Sequence, residues 1–150
     1  MKLLDGHAVV LAQGKIYVFG GASRVRPIGS DFFAELDLQT EDWAPLSGLP
    51  DTAPLRARHD SPGVRKLLAA WTDKREERVY VMYGMPDHQV AFLAGHEWGD
   101  MNGSAIEDCW SWGIKERKWR RERIAGNYPC PRAEMATCYV RPLLYSLRRS

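Results

Sequence analysis

Residues 15–21 read Lys15-Ile16-Tyr17-Val18-Phe19-Gly20-Gly21, and residues 78–84 read Arg78-Val79-Tyr80-Val81-Met82-Tyr83-Gly84. Each stretch is a short apolar run with β-branched residues, which predicts a strand buried on both faces. Glycine at its end suits a place where backbones approach closely and φ is positive. The same pattern therefore occurs twice, and such self-similarity at a long period predicts a repeat architecture.

Other landmarks recur in the same order around these two strands. Equivalent residues are separated by 52 positions from His7 to His59, 63 from Ile16 to Val79, and 76 both from Trp43 to Trp119 and from Arg56 to Arg132. The separation between equivalent residues increases at only two places, which predicts insertions near residues 70–77 and 85–105 of the second copy. Insertions between strands are tolerated because loop-closure cost grows only logarithmically with length.

These landmarks resemble the kelch repeat, in which His opens a strand, Gly-Gly ends the next one, and Trp, Pro and Arg follow in that order. The first copy supplies His7, Gly20, Gly21, Trp43, Pro54 and Arg56, and the second supplies His59, Gly84, Trp119, Pro129 and Arg132, with Tyr83 in place of one glycine. The resemblance covers about residues 7–138. It implies that the scaffold residues are His7, Gly20, Gly21, Trp43, His59, Gly84 and Trp119, with the tryptophans between neighbouring blades.

The expected fold is all-β, a kelch-type β-propeller fragment of four-stranded antiparallel blades. The first repeat spans 7–58, the second spans 59–134, and a truncated third, of which only the opening strand is expected, spans 135–150. Propellers usually need four to eight blades to close. We therefore expect a fragment of a longer protein whose open sheet edges favour oligomerisation or aggregation.

Amino-acid composition and cysteine usage indicate the broad class of protein and the cellular compartment. A hydrophobic content of 45% and a charged content of 27% are ordinary for a soluble globular chain. The sequence contains no apolar run long enough for a transmembrane helix and no signal-peptide pattern at its start. The three cysteines, Cys109, Cys130 and Cys138, form no CxxC pair, which fits a reducing compartment. The expected location is the cytoplasm, with the nucleus as the alternative.

Partner binding is expected from the insertion at 85–105, which mixes aromatics, histidines and carboxylates as interface anchors do. In kelch propellers, loops between the second and third strands share a face with the connections between blades. The resemblance therefore brings Phe92, His96 and Trp98 near Arg56, Arg58 and Arg132. The alternative is a loop that packs Phe92 and Trp98 on its own blade. The charged stretch at 72–77 is expected to be a solvated hairpin tip.

Catalytic and metal-binding patterns are not recognised in the sequence. His88, His96, Glu97 and Asp100 could ligate a metal, but their spacing matches no known site. One kelch-like family oxidises sugars with copper and a modified tyrosine, yet its ligands do not map onto this chain. We therefore expect a non-enzymatic scaffold for protein–protein interaction, without a cofactor or metal. The alternative is part of a propeller oxidase or hydrolase whose site needs further blades.

Positive charge is concentrated late in the chain. Residues 115–150 carry ten Lys or Arg and three Glu, so their net charge is +7 and that of the preceding residues is −5. The basic run at 115–123 could bind nucleic acid through interleaved charges and an aromatic ring. However, Trp119 aligns with the scaffold tryptophan of the repeat. This alignment favours a solvated outer strand whose charges discourage edge pairing. Nucleic-acid binding is kept as the weaker alternative.

Overall fold

The computed structural model describes residues 4–23, 33–46, 61–63, 65–85, 108–127, 130, 135–140 and 143–148. All regular elements in these ranges are β-strands, so the predicted all-β class is confirmed. In chain order they are β1 (Leu4–Asp5), β2 (Ala8–Ala12), β3 (Lys15–Phe19), β4 (Ala22–Ser23), β5 (Phe33–Asp37), β6 (Trp43–Pro45), β7 (Ala69–Thr72), β8 (Arg78–Met82), β9 (Cys109–Gly113), β10 (Lys118–Glu122), β11 (Met135–Val140) and β12 (Leu143–Arg148).

The first sheet has the strand order β2-β3-β5-β6, and every neighbouring pair is antiparallel. Its β2–β3 hairpin closes on Gln13 and Gly14, whose φ angles are 51° and 73°. Two consecutive positive φ angles define the turn type whose twist matches a tight hairpin. Side chains along β2 alternate between buried and exposed, as expected when the two faces of a strand have different surroundings.

The second sheet repeats this arrangement with the order β10-β9-β8-β7. Trp119 lies opposite Trp112 on the neighbouring strand, just as Trp43 lies opposite Leu36 in the first sheet. Equivalent residues of the last two strands therefore remain 76 positions apart, as the sequence predicts.

The extra residues that the sequence predicts near 70–77 lie mostly ahead of the first strand of the second repeat. Ala8 pairs with Phe19 and Ala69 pairs with Met82, so β2 and β7 are offset by 61 positions, whereas β3 and β8 are offset by 63. Only two extra residues thus lie in the hairpin near 70–77. The strand that pairs with β8 begins at Ala69 and not at His59, which itself lies outside the described residues. The reason is burial, because Leu68 and Ala69 are apolar and pack in the core.

A third hairpin is formed by β11 and β12, which pair from Met135 with Arg148 to Val140 with Leu143. Only its opening strand was expected, because no glycine pair follows β11. The second strand forms without that signal and continues the antiparallel ladder. Strand β7 lies beside both β2 and β11, so the first strands of the three units are arranged in sequence order.

The main core lies between the two four-stranded sheets. Buried residues of the first sheet, including Val10, Tyr17 and Phe33, pack with Val81 and Trp112 of the second. Trp119 is wedged between the sheets, with its ring centroid 5.4 Å from that of Phe19 and 4.9 Å from that of Phe33. This is the position expected for a scaffold tryptophan. Trp43, its counterpart, is 54% exposed.

Candidate functional site

A buried arginine joins the two sheets at the edge where β3 and β8 end. Arg65 is 1% exposed. Its Nη1 lies 2.5 Å from Asp108 Oδ1, and its Nη2 lies 3.1 Å from Asp108 Oδ2, so the pair is bidentate. The guanidinium also donates to the carbonyl oxygens of Tyr83, at 3.1 Å, and Pro62. A planar guanidinium suits this task because its donors point in fixed directions.

The backbone of Arg65 also contacts the glycine pair of the first sheet. Gly21 N donates to Arg65 O at 3.1 Å. Gly20 has a φ of +70°, and a Cβ added there would lie 2.5 Å from that carbonyl oxygen. The glycine pair is therefore needed both for its backbone conformation and for the close approach of residue 65. Gly84, in the second sheet, has a φ of +92°, and a Cβ added there would lie 2.9 Å from both the Lys66 carbonyl oxygen and the Leu68 Cβ.

Further backbone hydrogen bonds complete what we call the Arg65 node, formed by Arg65, Lys66, Tyr83, Met85 and Asp108. Lys66 and Met85 exchange two N–H···O bonds of 2.9 and 2.8 Å, and Tyr83 N donates to Asp108 O at 3.2 Å. Asp108 also accepts a bond of 2.8 Å from the indole N–H of Trp110. Met85 is the first residue of the insertion predicted at 85–105, and Asp108 lies three residues after its end. The chain thus leaves and re-enters the second sheet at a fixed, hydrogen-bonded point.

The predicted partner-binding residues Arg56, Arg58, Phe92, His96, Trp98 and Arg132 all lie outside the described residues, as do His59 and the candidate ligand His88. The segments that contain them are bounded by described residues, among them Leu46, Met85 and Asp108. The connection from the first sheet arrives through Pro62 and Arg65. The Arg65 guanidinium donates to the Pro62 carbonyl oxygen and contacts Tyr83 and Asp108 beside the insertion. The ends of the inter-sheet connection and of the insertion therefore meet at one edge of the sheets.

Sequence reasoning missed Arg65 and Asp108. A signal was present, because Pro62 and Arg65 have the same spacing as Pro129 and Arg132. Arg56 and His59 match the same motif and therefore obscure this signal. No sequence pattern marks Asp108, whose role depends on a contact 43 residues away.

The opposite edge of the sheets is joined by the two hairpin tips. Gln13 N donates to Glu76 Oε2 at 2.7 Å, and Gln13 Nε2 donates to the Glu76 carbonyl oxygen at 2.6 Å. Both groups are exposed, as expected for the charged tip. His7 is also exposed, directly before β2.

A polar cluster lies within the inter-sheet contact. Glu35 is 6% exposed, and its Oε1 lies 3.3 Å from both Lys15 Nζ and Arg117 Nη1. Arg117 belongs to the second sheet, so this ion pair also crosses between the sheets. Burial, together with the nearby Glu35 carboxylate, raises the pKa of Tyr17 to about 12.

The basic run at 115–123 forms a turn and the edge strand β10. Lys118, Arg120 and Arg121 are exposed, which is the solvated-edge arrangement expected from the repeat. Arg120 is partly neutralised, since its Nη2 lies 2.8 Å from Glu122 Oε1. Burial opposes ionisation of Glu122, but hydrogen bonds from Ser111 and Arg120 outweigh it and hold the pKa of this carboxyl below its ordinary value.

Among the residues that the structure describes, no group of three or more His, Cys, Asp or Glu side chains is arranged to hold a metal ion. Over the same residues, no helix has the length and apolar character needed to cross a membrane.

Two packed four-stranded antiparallel sheets, with a third hairpin beside them, are the arrangement of a β-propeller fragment. Residues 4–50 match the family described as Kelch motif, so the kelch-repeat resemblance is confirmed. The chain is also similar to a structure of YjhT, a kelch-type propeller, with a TM-score of 0.62 and 15% identity over 95% of this chain and 33% of that one. The chain therefore spans about a third of that propeller's length. No curated protein matches the chain.

Proposed function

We propose that the chain serves as a non-enzymatic scaffold for protein–protein interaction and is part of a longer kelch propeller that presents loops to a protein partner. The observation that carries the proposal is the Arg65 node, which fixes the flanks of the 86–107 segment with a bidentate ion pair and paired backbone bonds. Loops held at both ends by a rigid scaffold are where folds of this kind place their binding residues.

The proposed anchors within these loops are Phe92, His96 and Trp98, with Arg56, Arg58 and Arg132 beside them. Aromatic and arginine side chains are the residue types that most often dominate binding energy at protein interfaces. The proposed compartment is the cytoplasm, with the nucleus as the alternative.

Affinity capture with the whole chain as bait, followed by mass spectrometry, tests this proposal. A variant combining Phe92→Ala, His96→Ala and Trp98→Ala is expected to lose the partner and to keep the strand signal in circular dichroism. The matched control is Gln39→Ala with Thr40→Ala, in the exposed turn between β5 and β6, which is expected to retain the partner. Identical captured proteins for the triple variant and the wild type would contradict the proposal.

Two alternatives make different predictions. A nucleic-acid site on β10 predicts that affinity for a single-stranded oligonucleotide falls steeply with salt, and that Arg120→Gln with Arg121→Gln flattens the slope. The pairing of Arg120 with Glu122 weakens this alternative. A propeller oxidase or hydrolase predicts bound metal or turnover in the longer protein, which metal analysis and copper-dependent assays would detect.

A further inference from the structure

The outermost strand of the second sheet has one side that no other strand covers. Strand β10 ends the order β10-β9-β8-β7, so within the described part of the chain only β9 pairs with it. In an antiparallel ladder, alternate residues direct their N–H and C=O groups away from the neighbouring strand, and at an edge these groups stay available. Strand β10 offers them along five residues, none of which is glycine or proline.

This edge does not depend on how many blades accompany the sheet. Strand β7, at the other end of the same sheet, lies beside β2 and β11, which are the first strands of the other two units. The first strands therefore form the inner side of the arrangement, and β10 lies at its rim. Blades are added around a propeller beside the faces of existing sheets, which leaves the rim uncovered.

The corresponding edge of the first sheet is unsuited to pairing with a further strand. Strand β6 has only three residues, Trp43–Pro45, and carries no charged side chain. Its last residue is a proline, which has no N–H to donate and commonly protects the edge of a sheet. Of these two equivalent outer strands, only β10 has the length and the backbone donors for strand addition.

The side chains of β10 indicate which kind of strand could pair with it. Lys118, Arg120 and Arg121 are exposed. Because side chains alternate along a strand, Lys118 and Arg120 lie on one face and Arg121 lies on the other. Arg120 is paired with Glu122, whereas Lys118 and Arg121 have no ion-pair partner among the residues that the structure describes. Unbalanced positive charge therefore flanks the edge on both faces.

Glu122, the carboxylate of this strand, is balanced within the sheet. It accepts hydrogen bonds from Ser111 Oγ and, at 2.9 Å, from Arg120 Nε. Like charges on facing strands are destabilising, so the cations of β10 oppose pairing with the β10 edge of another copy. The same cations favour a strand of opposite charge, and discrimination of this kind uses repulsion and attraction together.

We propose that the β10 edge binds an extended, acidic segment of a partner protein by strand addition. The backbone of the segment pairs with the uncovered side of β10, and its carboxylates lie opposite Lys118 and Arg120 on one face and Arg121 on the other. Because cations flank both faces, the segment carries carboxylates at neighbouring positions as well as at alternate ones. This rim is a different surface from the Arg65 node, which lies where β3 and β8 end.

Fluorescence anisotropy with the whole chain and a labelled synthetic peptide of Glu, Asp and Val residues tests the proposal. This acidic peptide is expected to bind. A peptide with Lys at every acidic position is expected not to bind, because its charge is reversed. The acidic peptide with methylated backbone nitrogens is also expected not to bind, because it keeps the charge and loses the donors that strand pairing needs.

Two charge-matched variants locate the binding surface. Lys118→Gln with Arg121→Gln removes the two unbalanced cations and is expected to weaken binding of the acidic peptide by about fivefold to tenfold. Lys74→Gln with Arg75→Gln removes the same charge from the exposed hairpin tip between β7 and β8, and is expected to change affinity by less than about twofold. Circular dichroism establishes that both variants are folded.

The proposal and the one made for the Arg65 node can fail separately. The triple variant at Phe92, His96 and Trp98 is expected to bind the acidic peptide as the wild type does. An acidic peptide that does not bind, a methylated peptide that binds equally well, or unchanged affinity after Lys118→Gln with Arg121→Gln would each overturn strand addition at β10. A single-stranded oligonucleotide that binds more tightly than the peptide would assign the edge to nucleic acid and overturn it too.

Discussion

Tyr83 adopts the left-handed backbone conformation of Gly20, the residue it replaces in the repeat. Their φ angles are 60° and 70°, and the glycines that follow them, Gly84 and Gly21, have φ angles of 92° and 95°. A left-handed conformation costs a non-glycine residue roughly 1–2 kcal/mol. Tyr83 is fully buried and packs with Met82 and Cys109, and this burial offsets the cost. The conformation at the strand end is therefore retained although the glycine is not.

Gly20→Ala is expected to destabilise the chain much more than Gly14→Ala. Both glycines have nearly the same φ, +70° and +73°, so the strain from the backbone conformation is matched. Only at Gly20 does the added Cβ collide with the carbonyl oxygen of Arg65, whereas nothing lies within 4 Å at Gly14. We expect Gly14→Ala to cost roughly 1 kcal/mol and Gly20→Ala about 2 kcal/mol more, measured by urea unfolding. Equal costs would show that the close approach has no energetic role.

The predictable part of this fold is the part that depends on local pattern. Short apolar runs around Tyr17 and Tyr80 predict strands, and the fixed spacing of Trp43 and Trp119 predicts the register of the outer strands. His59 matches the motif by residue type and therefore predicts too early a start for β7, which begins at Ala69. The position is in fact determined by burial of Leu68 and Ala69, which no motif records.

The candidate site was less predictable for a different physical reason. Arg65 and Asp108 act through one long-range ion pair, and a single contact between distant residues has no periodicity that a sequence could display. The loops that we propose to bind a partner present the same difficulty, since their sequence follows neither the period of a strand nor that of a helix.

Asp108→Ala is expected to cost about 3–5 kcal/mol, because it leaves the buried guanidinium of Arg65 without its counter-charge. The double variant Arg65→Met with Asp108→Leu is expected to lose clearly less stability than the sum of the losses from Arg65→Met alone and Asp108→Leu alone. The reason is that neither charge is left buried without its partner in the double variant. A double-mutant cycle from urea unfolding measures the difference. If the single costs simply add, the pair does not act as a unit.

Breaking the contact between hairpin tips is expected to have a small effect. Gln13→Ala and Glu76→Ala each remove at least one hydrogen bond between exposed groups, and exposed bonds of this kind contribute about 0.5–1.5 kcal/mol. The coupling between the two changes is expected to be about 0.5 kcal/mol, with the exposed turn variant Gln39→Ala as a control near zero. A coupling as large as that of the Arg65 pair would mean that the tips, and not the Arg65 node, join the sheets most strongly.

The free energy of unfolding is expected to decrease in alkaline solution because Tyr17 and Cys109 ionise there. Burial raises the pKa of Tyr17 to about 12, aided by the Glu35 carboxylate, and burial raises the pKa of Cys109 to about 12, aided by Glu122 and Asp108. Both groups are neutral when protonated, and the folded state holds their protons more tightly than the unfolded state does. Their contribution is therefore complete below the ordinary values, about 8.5 for cysteine and about 10 for tyrosine, and is lost as pH rises towards 12.

Tyr17→Phe keeps the ring and removes the titrating group, so it is expected to reduce the loss of stability above about pH 10 and to leave the loss that begins near pH 8.5. Cys109→Ala is expected to remove the loss that begins near pH 8.5 and to leave the loss above about pH 10. It also creates a small cavity, which lowers stability at every pH. Urea unfolding at a series of pH values gives the free energies, and ultraviolet absorbance of tyrosinate follows the ionisation of the folded protein directly. A Tyr17→Phe profile that parallels the wild type at every pH would show that this phenol ionises at its ordinary pKa.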